Sequence, residues 1–232
     1  MQPLDLYATI EPLIGFDAQY ERLYARYLKE LKSLHVKEIL DIGCGNGTLL
    51  VHLKKEGFVA QGIERSPMMV ERALAKGVNA SLLELDAFEA ESFDAILAVA
   101  DVLNYIPEDE LEHFFAQVHR VLKQGGSFLA DINTLYGFEA IADGVMVKEE
   151  GDCFLSVDAH FEKPLLQTQI TLFRKEKEHY IKEQGSITQY FHPLNRFKKL
   201  KHFRLFKTYP MTLFSEHDAD KTLLHFIKTA SK

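Results

Sequence analysis

The chain has 232 residues, with 27 Lys+Arg against 34 Asp+Glu for a formal charge of −7, and 47% apolar residues. That length buries a sizeable core as one domain, or one domain with an appendage, and the composition is that of a globular chain rather than a disordered or fibrous one. No apolar run approaches a membrane span, the acidic start "MQPLDLYATIEPLIGF" lacks the basic leader of a secretory signal, and two distant cysteines, Cys44 and Cys153, make no disulfide framework. A reducing, cytoplasmic setting without membrane partners is therefore expected.

In chain order, "FDAQYERLYARYLKELKSL" places Tyr20, Leu23, Tyr24, Tyr27, Leu28 and Leu31 at helical spacing. "KEILDIG" reads as a short strand, and Asn46–Glu56 as a helix with Leu49, Leu50 and Leu53 on one face and Gly57 beyond its end. "FVAQGIE" is a second strand. Ser66 and Pro67 are cap and first-turn signals for a helix ending near Gly77. "NASLLEL" and "FDAILAV" are the third and fourth strands. Pro107 opens a helix over "PEDELEHFFAQVHRVL", Gly125-Gly126 closes it, and "SFLADI" is the fifth strand. Strands that are short, almost wholly apolar and separated by helices predict a parallel sheet covered on both faces.

After Asn133 the pattern changes. "GVMVKEE", "CFLSVDAHFE", "LQTQITLFRKE" and "YIKEQGSITQYF" follow one another without helices and predict an antiparallel β subdomain. A helix is expected over "PLNRFKKLKHF", and "FRLFKTY" and "TLLHFIKTA" close the chain as strands. Charge changes with the pattern: residues 1–150 carry a net −12 and residues 151–232 a net +5, which suggests a separate job for the last third. The expected division is residues 1–136 as an α/β core with an N-terminal helical lid, 137–190 as an inserted β cap over the substrate, and 191–232 as a return to the core.

Ligands of open α/β sheets lie beyond the carboxyl ends of the strands, so the loop after the first strand is the natural contact. Gly43, Gly45 and Gly47 are spaced G-x-G-x-G, which is neither the dinucleotide G-x-G-x-x-G nor a P-loop, and no Lys sits in the loop. Asp41, just before it, repels a pyrophosphate and suits an ammonium or sulfonium. Glu64, 21 residues past Gly43, stands where a carboxylate accepts both ribose hydroxyls, and Asp86 is placed to meet an adenine amino group. A ribose, an adenine, a cationic part and no phosphate describe S-adenosylmethionine (SAM).

These stretches, "ILDIGCGNGTLL", "GIERSPMMVERA", "LELDAFE" and "FDAILAVADVLNYI", resemble the class I SAM-dependent methyltransferases, and "GGSFLADINTLYGF" is similar to the fifth strand and exit loop of a subgroup with a small β insert. The resemblance covers about residues 16–136 and extends loosely to the end. It implies a Rossmann-like fold, a mostly parallel seven-stranded sheet with the β insert after the fifth strand, SAM as cofactor and S-adenosylhomocysteine (SAH) as product. It also implies roles. Gly43, Cys44 and Gly45 pass along the methionine part, with Asp41 near its amino group. Glu64 holds the ribose with Arg65 beside the adenine, and Asp86 and the Ala87 amide read the adenine edge. Ala100 and Asp101 border the methionyl end, and Asn104 and Tyr105 stand near the mouth. The usual acid after the second strand is Asp, where this chain has Glu64.

Tyr20, Tyr24 and Tyr27 chiefly pack a helix, while Tyr7 and Tyr20 are candidates for a lid whose aromatic face attracts the sulfonium. Ten histidines show no metal-ligand spacing, so no metal is expected. His160 and His192, with Tyr105, are candidates for a general base, although the family shares none. The basic run 196–207 is read as the wet face of a helix and strand, with nucleic-acid contact as the alternative. The expected reaction is in-line methyl transfer to an unidentified small-molecule acceptor, ahead of tRNA or protein. A non-catalytic SAM- or partner-binding protein is the second reading, and the glycine spacing disfavours an NAD-dependent oxidoreductase. The sequence does not set the oligomeric state.

Overall fold

The computed structural model describes residues 3–229. Two sheets organise it. The larger has seven strands: β1 (Glu38–Ile42), β2 (Val59–Ile63), β3 (Asn79–Ser81), β4 (Phe93–Ala98), β5 (Leu122–Asn133), β10 (Phe203–Met211) and β11 (Lys221–Lys228), in the order β10-β11-β5-β4-β1-β2-β3. All pairs from β3 to β5 are parallel, and β11 runs antiparallel to both β5 and β10. The expected Rossmann-like methyltransferase architecture is therefore the observed one. The reversal of β11 matters for function: Lys221, its first residue, pairs with Asn133, the last residue of β5, and so lies at the tips of the parallel strands.

Both faces of this sheet are buried, as its apolar strands require. Leu40, Ile96, Ala98, Phe128, Ala130, Leu224 and Phe226 face one core, filled by Phe115 of α5 (Leu111–Val121) and Phe197 of α6 (Leu194–Phe197). The alternating residues Ile39, Ala95, Leu97, Leu129 and Leu223 face the other, filled by α2 (Asp17–Lys32), α3 (Thr48–Lys55) and α4 (Pro67–Ala75) through Leu23, Tyr27, Leu31, Leu50, Leu53, Val70 and Ala73.

The smaller sheet is an antiparallel meander of β6 (Gly144–Glu150), β7 (Cys153–Glu162), β8 (Leu165–Glu176) and β9 (His179–Tyr190), in that order, following β5 as expected. Its inner face rests on α1 (Pro3–Ile14). Leu6 and Ile10 of that helix are buried against Leu155, Ile170, Leu172 and Ile187. The opposite side of α1 is tied to the larger unit. Ser66 Oγ donates to Asp5 Oδ1 at 2.6 Å, and Asn46 Nδ2 donates to Glu11 Oε2 at 2.9 Å. Helix α1 thus joins the small sheet to the first glycine loop and the start of α4.

Several local expectations change. Helical structure begins at Pro3, well before the expected start, because α1 gains its stability from the small sheet rather than from its own periodicity. Gly125-Gly126 does not end α5. The chain passes directly from Val121 into β5, and the pair forms an irregularity between Leu122 and Ser127 opposite Phe93–Ala95. A Cβ on Gly126 would lie 2.9 Å from Asp94 O, so the close approach itself demands glycine. The helix expected through "PLNRFKKLKHF" is one turn, Leu194–Phe197. Strand β3 stops at Ser81, and a 3₁₀ turn, Leu85–Ala87, carries Asp86.

Candidate active site

The tips of β1, β2 and β4 surround the first glycine loop. Gly43 N and Cys44 N both donate to Ile63 O, at 2.8 and 3.1 Å, which pins the loop across the end of β2. Gly43 has φ +69°, and a Cβ there would meet Val102 Cγ2 at 2.8 Å. Only glycine satisfies both conditions. Gly45 also has positive φ, and a Cβ there would meet nothing within 4 Å; Gly43 is the exposed glycine of the loop and Gly45 is half-buried.

Asp41 is 2% exposed, and its Oδ1 finds no hydrogen-bond partner among the described residues. Burial, and secondarily the charge of Glu64, pushes its carboxyl up to about 8. A buried, unpartnered carboxylate oxygen is costly unless a ligand supplies the missing donor. Glu64 follows β2 and is fully occupied by backbone: Oε2 accepts from Gly45 N at 3.0 Å, and Oε1 from Arg65 N at 2.8 Å and Ser66 N at 3.0 Å. The same carboxylate thus steadies the glycine loop and the start of α4. Arg65 reaches sideways, its Nε 3.7 Å from Glu84 Oε1. Asp86 is exposed on its 3₁₀ turn, whereas the Ala87 amide is spent on Glu84 O at 3.1 Å. Cys44 is buried, and burial first, then the charges of Asp41 and Glu64, keeps its thiol protonated.

Tyr7 and Tyr20 meet over this region, hydroxyl to hydroxyl at 3.3 Å. Desolvation raises the phenols of Tyr7, Tyr20 and Tyr105, although Tyr105 is 38% exposed and opens to the surface. All three are neutral donors at physiological pH. Tyr105 feels Tyr7 and the charge of Glu64, so the three phenols lie near one another.

The other named residues are placed differently. Asn104 is fully buried and works as a strut: Nδ2 donates to Tyr190 O at 2.8 Å, and Oδ1 accepts from Asn133 N at 2.9 Å. His192 is buried with both ring nitrogens engaged, Nδ1 with Glu108 Oε2 at 3.2 Å and Nε2 with Ile106 O at 2.9 Å. Both nitrogens are thus turned to the protein's own oxygens rather than left free. His160 is exposed on β7, and its ionic neighbour is Asp143 at 3.8 Å. No group of three or more His, Cys, Asp or Glu is arranged to hold a metal among the described residues.

Sequence reasoning missed the residues beneath Ala100 and Asp101. Both have positive φ, +61° and +69°, uncommon outside glycine. The carboxylate of Asp131, fully buried in β5, accepts their two amides, Ala100 N at 2.8 Å and Asp101 N at 3.1 Å. Tyr27 donates to the same carboxylate at 2.7 Å, and Lys221 Nζ lies 3.2 Å from it and 2.9 Å from Asn133 Oδ1. A charged residue inside the apolar run "SFLADI" was the available signal, because a buried carboxylate implies partners elsewhere.

Residues 39–126 match the family model described as a methyltransferase domain. A putative methyltransferase of Geobacillus sp. strain WCH70 is 33% identical over 136 residues, 54% of either chain. An 18S rRNA (guanine(1575)-N(7))-methyltransferase of Saccharomyces cerevisiae is 35% identical over 106 residues, 40% of this chain and 38% of that one. The match to the Geobacillus relative thus spans about half of its length. The solved structure of a SAM-dependent methyltransferase from Clostridium acetobutylicum superposes with a TM-score of 0.79 over 97% of this chain and 98% of that one, at 20% identity. The orphaned Asp41 oxygen, the glycine cradle and the Glu64 carboxylate fit the ammonium, backbone and ribose of SAM, the cofactor common to that fold. With its domain match over residues 39–126 and its strand order, the chain has the Rossmann-like fold of the SAM-dependent methyltransferases and is similar to them in sequence over that stretch.

Proposed function

We propose that the protein transfers the methyl group of SAM to a small-molecule acceptor held beneath α1 and the small sheet. The unpartnered Oδ1 of buried Asp41 carries this reading, because an ammonium is the donor it lacks. Bound SAM supplies a methyl already activated by the sulfonium, so the chain's task is to position and to exclude water. Asp41 binds the amino group, the Gly43–Gly45 backbone lies along the methionyl part, Glu64 takes the ribose hydroxyls and Asp86 the adenine amino group. Ala100 and Asp101 border the methyl end, and Arg65, Cys44 and Ala87 line the cofactor without a chemical step. Tyr7, Tyr20 and Tyr105 form an aromatic wall near the sulfonium. The core spans residues 1–136 and 191–232, and residues 137–190 cap the acceptor. A roof made of two elements, both packed through Leu6 and Ile10, supports a compact acceptor. Transfer of label from [methyl-14C]SAM into the below-3-kDa fraction of the organism's own cell extract tests the proposal. Label found only in RNA or protein, or none, contradicts it.

A further inference from the structure

Resting on that reading, we infer that the acceptor is an amine and that Asp101 takes the proton from its nitrogen, with Lys221 and Asp131 as positioning residues. Four observations meet at the tips of β4, β5 and β11. Two consecutive non-glycine residues, Ala100 and Asp101, are held in left-handed backbone geometry. Asp131 clamps both of their amides, so the strain is imposed by a dedicated carboxylate rather than by a turn of convenience. Lys221, 2% exposed in its side chain, lies against Asp131 and forms an ion pair with Asp101 Oδ1. Asp101, at 22%, is the member of this ionic cluster that reaches the surface, since Asp131 is at 0%.

Burying two carboxylates and an ammonium is unfavourable unless the arrangement is used. Its formal charges are two negative and one positive, and Lys221 is shared between the two acids. The exposed end, Asp101, therefore carries the residual negative charge and complements a cation. A protonated amine fits; a phosphate or carboxylate acceptor is repelled. Val102, the next residue, touches the place where a Gly43 Cβ would be, so Asp101 stands at the junction of the β4 tip and the cofactor loop.

The step balances. The acceptor ammonium gives one proton to the Asp101 carboxylate. Its nitrogen lone pair then forms the new N–C bond as the S–C bond breaks, and the breaking pair stays on sulfur as the thioether of SAH. The methylated ammonium departs, and Asp101 returns its proton to solvent through its exposed edge. Tyr27 donates to Asp131 and Asn133 Oδ1 accepts from Lys221, and both are uncharged, so removing Lys221 leaves Asp101 and Asp131 without a cation.

The test uses [methyl-14C]SAM with the below-3-kDa metabolite fraction, untreated or with its amines acetylated by sulfo-NHS-acetate. Wild-type protein is expected to label the untreated fraction and to lose at least tenfold of the label after acetylation. Asp101→Asn is expected to lower the initial rate at least 100-fold, with Asp101→Glu recovering part of it, while the Kd for SAH by calorimetry stays within threefold for both. Lys221→Met is expected to move the rising limb of the pH–rate profile to higher pH below about pH 7, where Lys221, pushed down to about 7 by burial, still carries its charge beside Asp101, a shift that simple loss of packing does not produce. Labelling that survives acetylation, or an Asp101→Asn variant with more than a third of the wild-type rate, overturns the inference. Failure of wild-type protein to bind SAH sinks the cofactor reading. SAH binding with no transfer sinks the methyltransferase proposal and this one with it.

Discussion

Substituting Asp41 by Asn separates the cost of the site from its use. In the free protein the Asp41 carboxyl is raised from 3.8 to about 8, first by burial and then by Glu64. Between those values the folded state keeps a proton that the unfolded state releases. Its stabilising contribution is thus complete below about pH 4 and is lost as pH rises through about 8. About four pH units at 1.36 kcal/mol each set a ceiling of about 5 kcal/mol on that loss. Asparagine is neutral throughout, so Asp41→Asn escapes it. At roughly 2 to 4 °C per kcal/mol for a domain of this size, the variant is expected to melt roughly 10 °C above wild type at pH 8.5, and to coincide with it near pH 4.5. Binding runs the other way. The variant offers SAH no carboxylate for its ammonium, and its affinity is expected to fall roughly tenfold or more, a charge-assisted hydrogen bond being worth ~1.5–3 kcal/mol. Scanning calorimetry across pH, paired with SAH titrations, reads both. Melting curves that stay parallel across pH, or a variant less stable than wild type at pH 8.5, refute the reasoning by showing that Asp41 is charged or satisfied without a ligand.

Tyr27→Phe removes the 2.7 Å hydrogen bond to buried Asp131; a destabilisation of ~1–3 kcal/mol is expected in urea unfolding, with little effect on SAH affinity. Gly62→Ala places a Cβ 2.4 Å from Cys44 Sγ and 2.9 Å from Leu50 Cδ1, and overpacking of ~1–3 kcal/mol is expected as a lowered denaturation midpoint. Leu155→Ala opens the contact between the small sheet and α1, and a loss of ~2–5 kcal/mol should appear as faster hydrogen exchange in α1 and β7–β9 ahead of the seven-stranded sheet.

The seven-stranded sheet was readable because each buried strand is a short apolar run bounded by turn signals, and "KEILDIGCGNG" with Glu64 and Asp86 marked one edge of the site. Helix α1 was not. Its Leu6 and Ile10 acquire a partner only when β7–β9 fold back over them, and Pro12 inside it argues locally against a helix. The Asp131–Lys221 pair is 90 residues apart in sequence, and only the register of β11 against β5 brings it together beneath Asp101. His192 looked like a candidate base because sequence cannot show that Glu108 and Ile106 occupy both of its nitrogens. The basic run 196–207 reads as the face of a helix followed by a strand; the strand begins at Phe203, but the helix stops after Phe197 and turn joins the two.

A crystal structure of the protein with SAH is the most direct measurement. The amino group is expected within hydrogen-bond distance of Asp41 Oδ1, with the ribose hydroxyls on Glu64, whose Oε2 has released Gly45 N. SAH bound elsewhere, or a strand-tip crevice left closed by Glu64 and the tyrosines in excess ligand, would contradict it.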